Sequence, residues 1–559
     1  MYSDKEIIHR IVHIFHARGI HAVIASPGSR NAPVIQSFFG HGGFKMYSVS
    51  DERSAGFIAL GMAMKTGKAV VLTCTSGSAL LNYGPALVEA YYQNVPLIVL
   101  SADRPVHLID QGHGQSMRQE NVYQNYIRGS LNLPEYLEEN SWFIDAKVNQ
   151  LIDMGNGYVK GPVHINLPLD EPLYDFRYEL VDDVRIIDYF HSEKILSENI
   201  IKRLADNWDQ ANKVMILVGQ KAPDPDLNKL LAKIVEQKNV AVLTEHTSNL
   251  YKPSLFIHQI DRCIFALDKE EWVEFHPDLL ITFGKEIVSK KIKKVLLRQR
   301  IQNHWHIGKT DEQRDTFGSL TMVIDTEPKE TLDKILNFKA KSKDYLKTWQ
   351  KRNVQVKNYH DKYLQNTKWS DLKAWEFLMQ NIPSDISVHL GNSASIRYSL
   401  LFDGKGGQKY FANRGVSGID GCTSTAVGYS IAAPEEKVYF ISGDISFLYD
   451  SNAFWISELP ENLKVIVINN SGGGIFRFIA GPSETEVLDE FLETTHTRSI
   501  QPLVESYGIK CFQANSLEAL QGIFSKFATH SGLAVLEIVT PRKENDKVLK
   551  NYFNNLSKS

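Results

Sequence analysis

The sequence predicts an α/β protein made of three consecutive doubly wound domains with mainly parallel sheets. Three observations carry this prediction. Short apolar runs of strand length alternate with helix-length segments along the chain, which is the pattern of βαβ units. In the first domain every such run ends in a polar or glycine-bearing turn, and ligands of parallel sheets collect outside those carboxyl ends. The chain has 559 residues, more than one hydrophobic core organises.

The first domain is expected over residues 1–182. Its strands are HAVIAS (21–26), MYSVS (46–50), AVVLTCT (69–75), PLIVLSA (96–102) and the late VHINL before a proline-bearing turn. The turns after them hold Ser26 to Arg30, Asp51 to Arg53, Ser76 to Ser78 and Asp103 to Pro105. Glu52 stands directly after a strand and opens a helix whose Ala55, Gly56, Ala59 and Gly61 permit close packing. An acid there either meets the helix dipole or works as a partly buried carboxyl. In the polar loop DQGHGQSMRQENVY, Gln115, Arg118 and Gln119 serve a ligand or cap helices.

The second domain, 185–360, has strands at 214–219, 240–245, 279–284, 304–308 and 322–326. Its turns are poorer in acids, amides and arginines, so it reads as a linking domain. His304 and His306 share one strand face without a third ligand, a structural pair more often than a metal site. The charge-rich segment 332–365 reads as a solvated connecting helix.

The third domain, 369–559, has a strand ending at Gly391-Asn392-Ser393, a helix carrying Arg397, and a short strand running into the turn from Asn413 to Gly421. The stretch from Val438 to Phe478 reads as strand, turn at Gly443-Asp444, helix through Leu459, strand over 464–468, and the turn Asn469 to Gly474. Asp444, Asn469-Asn470 and a backbone carbonyl, in a turn where Gly472 carries no side chain, form an oxygen set that suits Mg2+. The glycine turns at 404–409 and 470–476 lack the placement of a dinucleotide fingerprint.

Lys+Arg (62) and Asp+Glu (65) nearly balance, leaving a net charge of −3, which gives no basis for nucleic-acid binding. No stretch approaches the ~20 apolar residues of a membrane span, so no stable membrane insertion is expected. The charged amphipathic opening lacks a signal peptide's apolar core. The scattered Cys74, Cys263, Cys422 and Cys511 read as buried thiols of a cytoplasmic protein.

SDERSAGFIALG with the following TCTSGSALLNYG, and Gly443-Asp444 followed one βα unit later by Asn469-Asn470, resemble the thiamine diphosphate enzymes. Ile445 departs from the superfamily's usual glycine. The wider set SPGSRNAPV, SADRP, GQSMRQENVY, LGNSASIRY, NRGVSGIDG, SGDISFLYDSNAF and NNSGGGIF resembles one branch, the 2-succinyl-5-enolpyruvyl-6-hydroxy-3-cyclohexene-1-carboxylate synthases of menaquinone biosynthesis, where that departure is normal.

The resemblance implies a pyrimidine-binding first domain, a central linking domain and a diphosphate-binding third domain. It implies thiamine diphosphate with Mg2+, or Mn2+ in its place, held by Asp444, Asn470 and Gly472. Glu52 would activate the aminopyrimidine. Pro27, Ser76, Asn392, Ser417, Ile419, Gly443, Ile445, Ser446, Gly473 and Ile475 would line the cofactor, with Ile419 either a wedge beneath it or a capping core residue. The implied reaction decarboxylates 2-oxoglutarate and adds the resulting succinyl semialdehyde carbanion to isochorismate. Both substrates are dicarboxylates, so Arg30, Arg104, Arg397 and Arg414 are their expected partners. Ser29, Gln115, Asn392 and Ser393 would add neutral hydrogen bonds, and Ile475 and Phe476 would exclude water. A homodimer or homotetramer with active sites between subunits is implied. The nearest rival is another thiamine diphosphate-dependent 2-oxoacid decarboxylase or an acetolactate synthase-like enzyme. A non-catalytic scaffold would not need Glu52, Asp444 and Asn470 together.

Overall fold

The computed structural model describes every residue except 137–140, 180, 182, 191, 193, 310–312, 479–480 and 557–559, so the expected boundary at 182 lies outside the described residues. Three parallel sheets organise the chain. The first runs, edge to edge, Lys45–Ser48, Ala22–Ala25, Val70–Cys74, Leu97–Asp103, Val163–Pro168 and Gly129–Asn132. The third runs Lys409–Phe411, Ser387–Leu390, Val438–Gly443, Leu463–Asn469, Ala534–Val539 and Lys510–Ala514. Between them in sequence lies a five-stranded sheet, Ala241–Thr244, Val214–Val218, Leu279–Phe283, Asn303–Ile307 and Met322–Ile324. The central strands are buried along their length because helices cover both faces, and their Val, Ile and Leu side chains suit that environment. A short antiparallel ribbon, Tyr2–Ser3 with Phe176–Arg177, ties the chain's start to the end of the first sheet.

Numbered in chain order within each sheet, both six-stranded sheets have the order 2-1-3-4-6-5, and the middle sheet has 2-1-3-4-5. The order reverses between strands 1 and 3, which is where a ligand crevice opens. At that point in the first sheet a Cβ on Gly28 would lie 2.3 Å from Thr75 Cβ; in the third, a Cβ on Gly391 would lie 2.4 Å from Ser442 Oγ. Each turn can pass close to its neighbour only because it carries glycine.

The helix after strand 2 of the first sheet, Glu52–Thr66, packs on the helix after strand 2 of the third, Cys422–Ala432. A Cβ on Gly61 would sit 2.0 Å from Thr425 O, and one on Gly428 would sit 2.0 Å from Ile58 O. The two backbones therefore touch, and one apolar cluster runs through the crossing from Leu72 and Val99 to Phe440 and Val467. A second cluster joins the middle sheet to the third, from Leu280 and Trp349 to Ile441 and Leu536.

Several local expectations are corrected. The helix after Gly443 ends at Tyr449 instead of Leu459 and is followed by a 3-10 turn, Ser451–Phe454. The buried Asp450 carboxylate turns the chain there by accepting from Ser424 N and Ser424 Oγ, both at 2.7 Å. The segment 332–365 holds the end of one helix, Pro328–Ile335, and all of another, Asp344–Gln365. The second is not merely solvated, since it buries Trp349, Val356 and Leu364. Two edge strands, Gly129–Asn132 and Lys510–Ala514, carried too little apolar signal to be read from sequence.

All four cysteines are free and buried. His304 and His306 both reach Thr282 Oγ1, at 2.9 and 3.0 Å, and border a cavity of about 460 Å³ at the ends of the middle sheet's strands. Among the described residues no helix is long and apolar enough to cross a membrane.

Candidate active site

The third sheet's strand ends build an oxygen-rich loop. Asp444 follows strand 3 and is buried, with its carboxylate fixed by backbone: Ile445 N donates to Oδ1 at 2.8 Å and Gly472 N to Oδ2 at 2.9 Å. His496 Nε2 lies 3.1 Å from Oδ2. Gly472 has no room for a side chain, because a Cβ would lie 2.8 Å from Glu493 O. Asn470, at the end of strand 4, donates Nδ2 to Asp371 Oδ2 at 2.9 Å, while its buried Oδ1 has no partner. Asn469 is turned away: its Nδ2 donates to Arg498 O and Glu537 Oε1.

One carboxylate, one unpartnered amide oxygen and a turn carbonyl suit a hard divalent cation that keeps phosphate and water in its other positions. An orphaned buried oxygen is costly, by ~1–3 kcal/mol, unless a ligand completes it. The residues present therefore fit the diphosphate-bound metal. Among the described residues no group of three His, Cys, Asp or Glu forms an alternative metal cluster.

Around this loop the Asn413–Gly421 turn is held by Asn392, whose Nδ2 donates to Asn413 O at 2.7 Å and Gly418 O at 2.6 Å. Its Oδ1 accepts from Arg414 at 3.0 Å, so Asn392 aims an arginine as well as shaping the turn. Ser417 and Ser393 adopt left-handed φ of 64° and 68°. Ile419 O accepts from Ser446 Oγ at 2.9 Å, linking this turn to the helix that starts at Asp444. Gly443, Ile445 and Gly473 are half-buried along the same edge.

A cavity of about 220 Å³ opens beside Gly474 and Ile475, and Arg397 projects into its wall. Burial, then the nearby Arg414 charge, lowers the Arg397 pKa. The middle domain, which the sequence presented only as a linker, also lines this cavity with Asp261, Lys290 and Lys291. Burial brings Lys291 down to about 8 against the opposing pull of Asp261. These lysines are positioned by Glu245 at the end of strand Ala241–Thr244, which accepts from Val288 N and Ser289 N at 2.7 Å each. Phe476 is half-buried in the short helix Ile475–Phe478.

The first sheet presents a different set. Asp51 caps the helix Glu52–Thr66, accepting from Arg53 N at 2.9 Å and Ser54 N at 3.2 Å. Asp51 thus takes the helix-start role and leaves the half-buried Glu52 carboxyl free for another. Burial, the leading cause, raises the Glu52 pKa above its ordinary value, against its own backbone N–H; the Asp51 charge adds to the rise. Arg30 is buried, bonded to Leu169 O and, at 3.1 Å, to Glu171, and burial plus the neighbouring Arg104 charge lower its pKa. Ser76 Oγ donates to Gln115 O at 2.8 Å, while Pro27, Ser29 and the Gln115 side chain face solvent. Gln119 is buried in a structural network with Gly77, Ala102 and Asn166, and Arg118 pairs with Asp110 at 2.7 Å on the surface.

The structure thus gathers Arg397, Arg414, Asn392, Ser393, Asp444, Asn470 and Gly472 on one sheet edge, and Glu52, Ser76, Arg30 and Arg104 on another. Among the described residues no hydrogen bond or ion pair joins Glu52 to Asp444, Asn470 or Gly472. Sequence reasoning missed Asp371, His496, Lys290 and Lys291. The first two sit in stretches without a motif, and the lysines look like any solvated charge run.

Residues 6–123 match the family model of the thiamine pyrophosphate enzyme N-terminal TPP binding domain, and residues 391–538 that of the C-terminal TPP binding domain. Over its full length the chain is 40% identical to 2-succinyl-5-enolpyruvyl-6-hydroxy-3-cyclohexene-1-carboxylate synthases of Flavobacterium psychrophilum and Flavobacterium johnsoniae, covering 100% of each. It is also 40% identical to the synthase of that name from Christiangramia forsetii, over 99% of both chains.

Proposed function

The chain belongs to the 2-succinyl-5-enolpyruvyl-6-hydroxy-3-cyclohexene-1-carboxylate synthase family of thiamine diphosphate-dependent enzymes, and from that premise we propose that it joins a decarboxylated 2-oxoglutarate unit to isochorismate, releasing CO2, in menaquinone biosynthesis. The observation that carries this reading is the cavity adjoining the oxygen loop at Gly474, lined by the cations Lys290, Lys291, Arg397 and Arg542 together with Asp261, Asp371 and Asp546. A site for two dicarboxylates needs several cations close to the anchor of the cofactor, and planar guanidinium groups suit bidentate binding.

Thiamine diphosphate, when bound, supplies the electron sink that decarboxylation requires. Asp444, Asn470 and the Gly472 carbonyl would hold its Mg2+, with Mn2+ as a substitute. Glu52 would exchange a proton with a ring nitrogen of the aminopyrimidine, a task suited to a carboxyl whose pKa burial has raised. Arg397, Arg414, Arg30 and Arg104 bind substrate carboxylates, with Ser29, Gln115 and Ser393 supplying neutral hydrogen bonds. Ile475 and Phe476 keep water from the reacting carbon. Residues 1–182 act as the pyrimidine-binding domain, 185–360 as the central domain and 369–559 as the diphosphate-binding domain.

The two arginine pairs lie on different sheet edges, which supports a homodimer or dimer of dimers in which one copy's first domain completes the other copy's third. The protein is expected to work in the cytoplasm. The test is CO2 release from 2-oxoglutarate with thiamine diphosphate and Mg2+, with and without isochorismate. Release that depends on isochorismate and is absent with pyruvate supports the assignment. Turnover of pyruvate instead would move the chain to an acetolactate synthase-like activity.

A further inference from the structure

An asparagine side chain presents oxygen and nitrogen in nearly the same shape, and only the oxygen binds a cation. Asn470 therefore needs something that fixes which end faces the metal loop. Its Nδ2 donates to Asp371 Oδ2 at 2.9 Å, and its Oδ1 is buried without a partner. A carboxylate can only accept, so the reverse orientation would set two oxygens against each other. Gly474 passes close to the same amide nitrogen, since a Cβ there would lie 3.1 Å from Asn470 Nδ2.

Asp371 is itself held from three directions. It begins the helix Asp371–Asn381 after the cap Ser370, its N donates to Asn545 Oδ1 at 2.8 Å, and its Oδ1 accepts from Thr540 Oγ1 at 2.6 Å. Asn545 Nδ2 in turn donates to Thr540 Oγ1 at 3.3 Å. Segments from 370, 470 and 540–545 thus converge on one amide.

We infer that Asp371 is a positioning residue that locks the Asn470 amide with its oxygen toward the metal position, so that the Asp444, Asn470 and Gly472 set is formed before the metal arrives. The inference rests on the metal-anchor reading of those three residues. Asp371 touches the metal only through Asn470, and its effect should be visible in metal affinity without any substrate.

The experiment measures Mn2+ binding to the full-length protein with thiamine diphosphate and no substrate, from the loss of the free Mn2+ resonance signal. Asp371→Leu should weaken binding by about tenfold or more, the range for groups that orient a ligand. Asp371→Asn keeps an acceptor oxygen and should stay within about threefold of the parent. Asp371→Ser, small and polar, should show the same loss as the leucine variant and replaces it should that variant not fold. The decisive background is Asn470→Asp, whose two carboxylate oxygens need no orientation: there Asp371→Leu should cause no further loss. Equal weakening in both backgrounds would reduce Asp371 to a structural role and overturn the inference. Parent-like Mn2+ affinity in Asp371→Leu would overturn it while leaving the anchor standing. No metal-dependent binding by the parent protein would overturn both.

Discussion

The first and third sheets share a strand order, a glycine contact at the point of reversal and a helix after strand 2 that meets its counterpart in the other domain. Their chemistry is nevertheless displaced. In the first sheet the acid follows strand 2, as Glu52, and cations follow strands 1 and 4, as Arg30 and Arg104. In the third sheet the acid follows strand 3, as Asp444, the amide follows strand 4, as Asn470, and strand 2 leads to Arg414. The shared topology supplies a row of turns at which any residue can be presented. On the proposed reading, which turn receives the carboxylate decides whether an edge handles a proton or a cation.

The largest effect that would sharpen this contrast is at Glu52. Glu52→Gln keeps the shape and the Asp51 cap but removes the acid, so kcat should fall by about 10²–10⁴, the range of a general acid–base contribution. Cofactor affinity, read by titration, should change little; full activity in this variant would break the division of labour between the two edges. Asp444→Ala should do the converse. It should weaken metal-dependent thiamine diphosphate binding by about tenfold or more, as removing a ligand costs at least as much as removing its support. Binding that stays equally tight with and without Mg2+ would dissociate Asp444 from the cation.

Next in size is Arg397→Lys. It keeps the charge but loses the planar fork, so KM for 2-oxoglutarate or isochorismate should rise roughly tenfold, about one charged hydrogen bond, with kcat less affected. Unchanged KM for both substrates would leave the cavity beside Ile475 without its assigned occupants.

How far the sequence reveals these features follows from burial. The central strands were legible because they are buried on both faces and therefore apolar throughout, as in Val70–Cys74 and Leu463–Asn469. The edge strands Gly129–Asn132 and Lys510–Ala514 have little or no such signature. Asp444 and Glu52 were legible because they stand immediately after strands. Lys290 and Lys291 were not: they belong to a helix of the middle domain whose basic run looks solvated, and its start is fixed by tertiary bonds from Glu245 to Val288 N and Ser289 N that leave no mark in the sequence. The end of the helix at Tyr449 was hidden for the same reason, since Asp450 turns the chain by binding Ser424, 26 residues earlier.

The smallest expected effect tests whether the two outer domains are equivalent where they touch. Gly61 and Gly428 sit inside corresponding helices, and a methyl group on either would lie 2.0 Å from a backbone oxygen of the other helix. Gly61→Ala and Gly428→Ala should therefore each lose roughly 1–3 kcal/mol to overpacking, partly offset by alanine's helix preference of up to ~1 kcal/mol. Gly522, in the helix Leu517–Ala528, has open space at its Cβ. Gly522→Ala keeps only the favourable half and should raise stability by roughly 0.5–1 kcal/mol. Denaturant midpoints of the three variants give the comparison directly. Similar losses at 61 and 428 with a gain at 522 fit a symmetric crossing in which both backbones are in contact. A loss at one glycine alone would mean that the helices share their place in the two sheets without sharing the load between them.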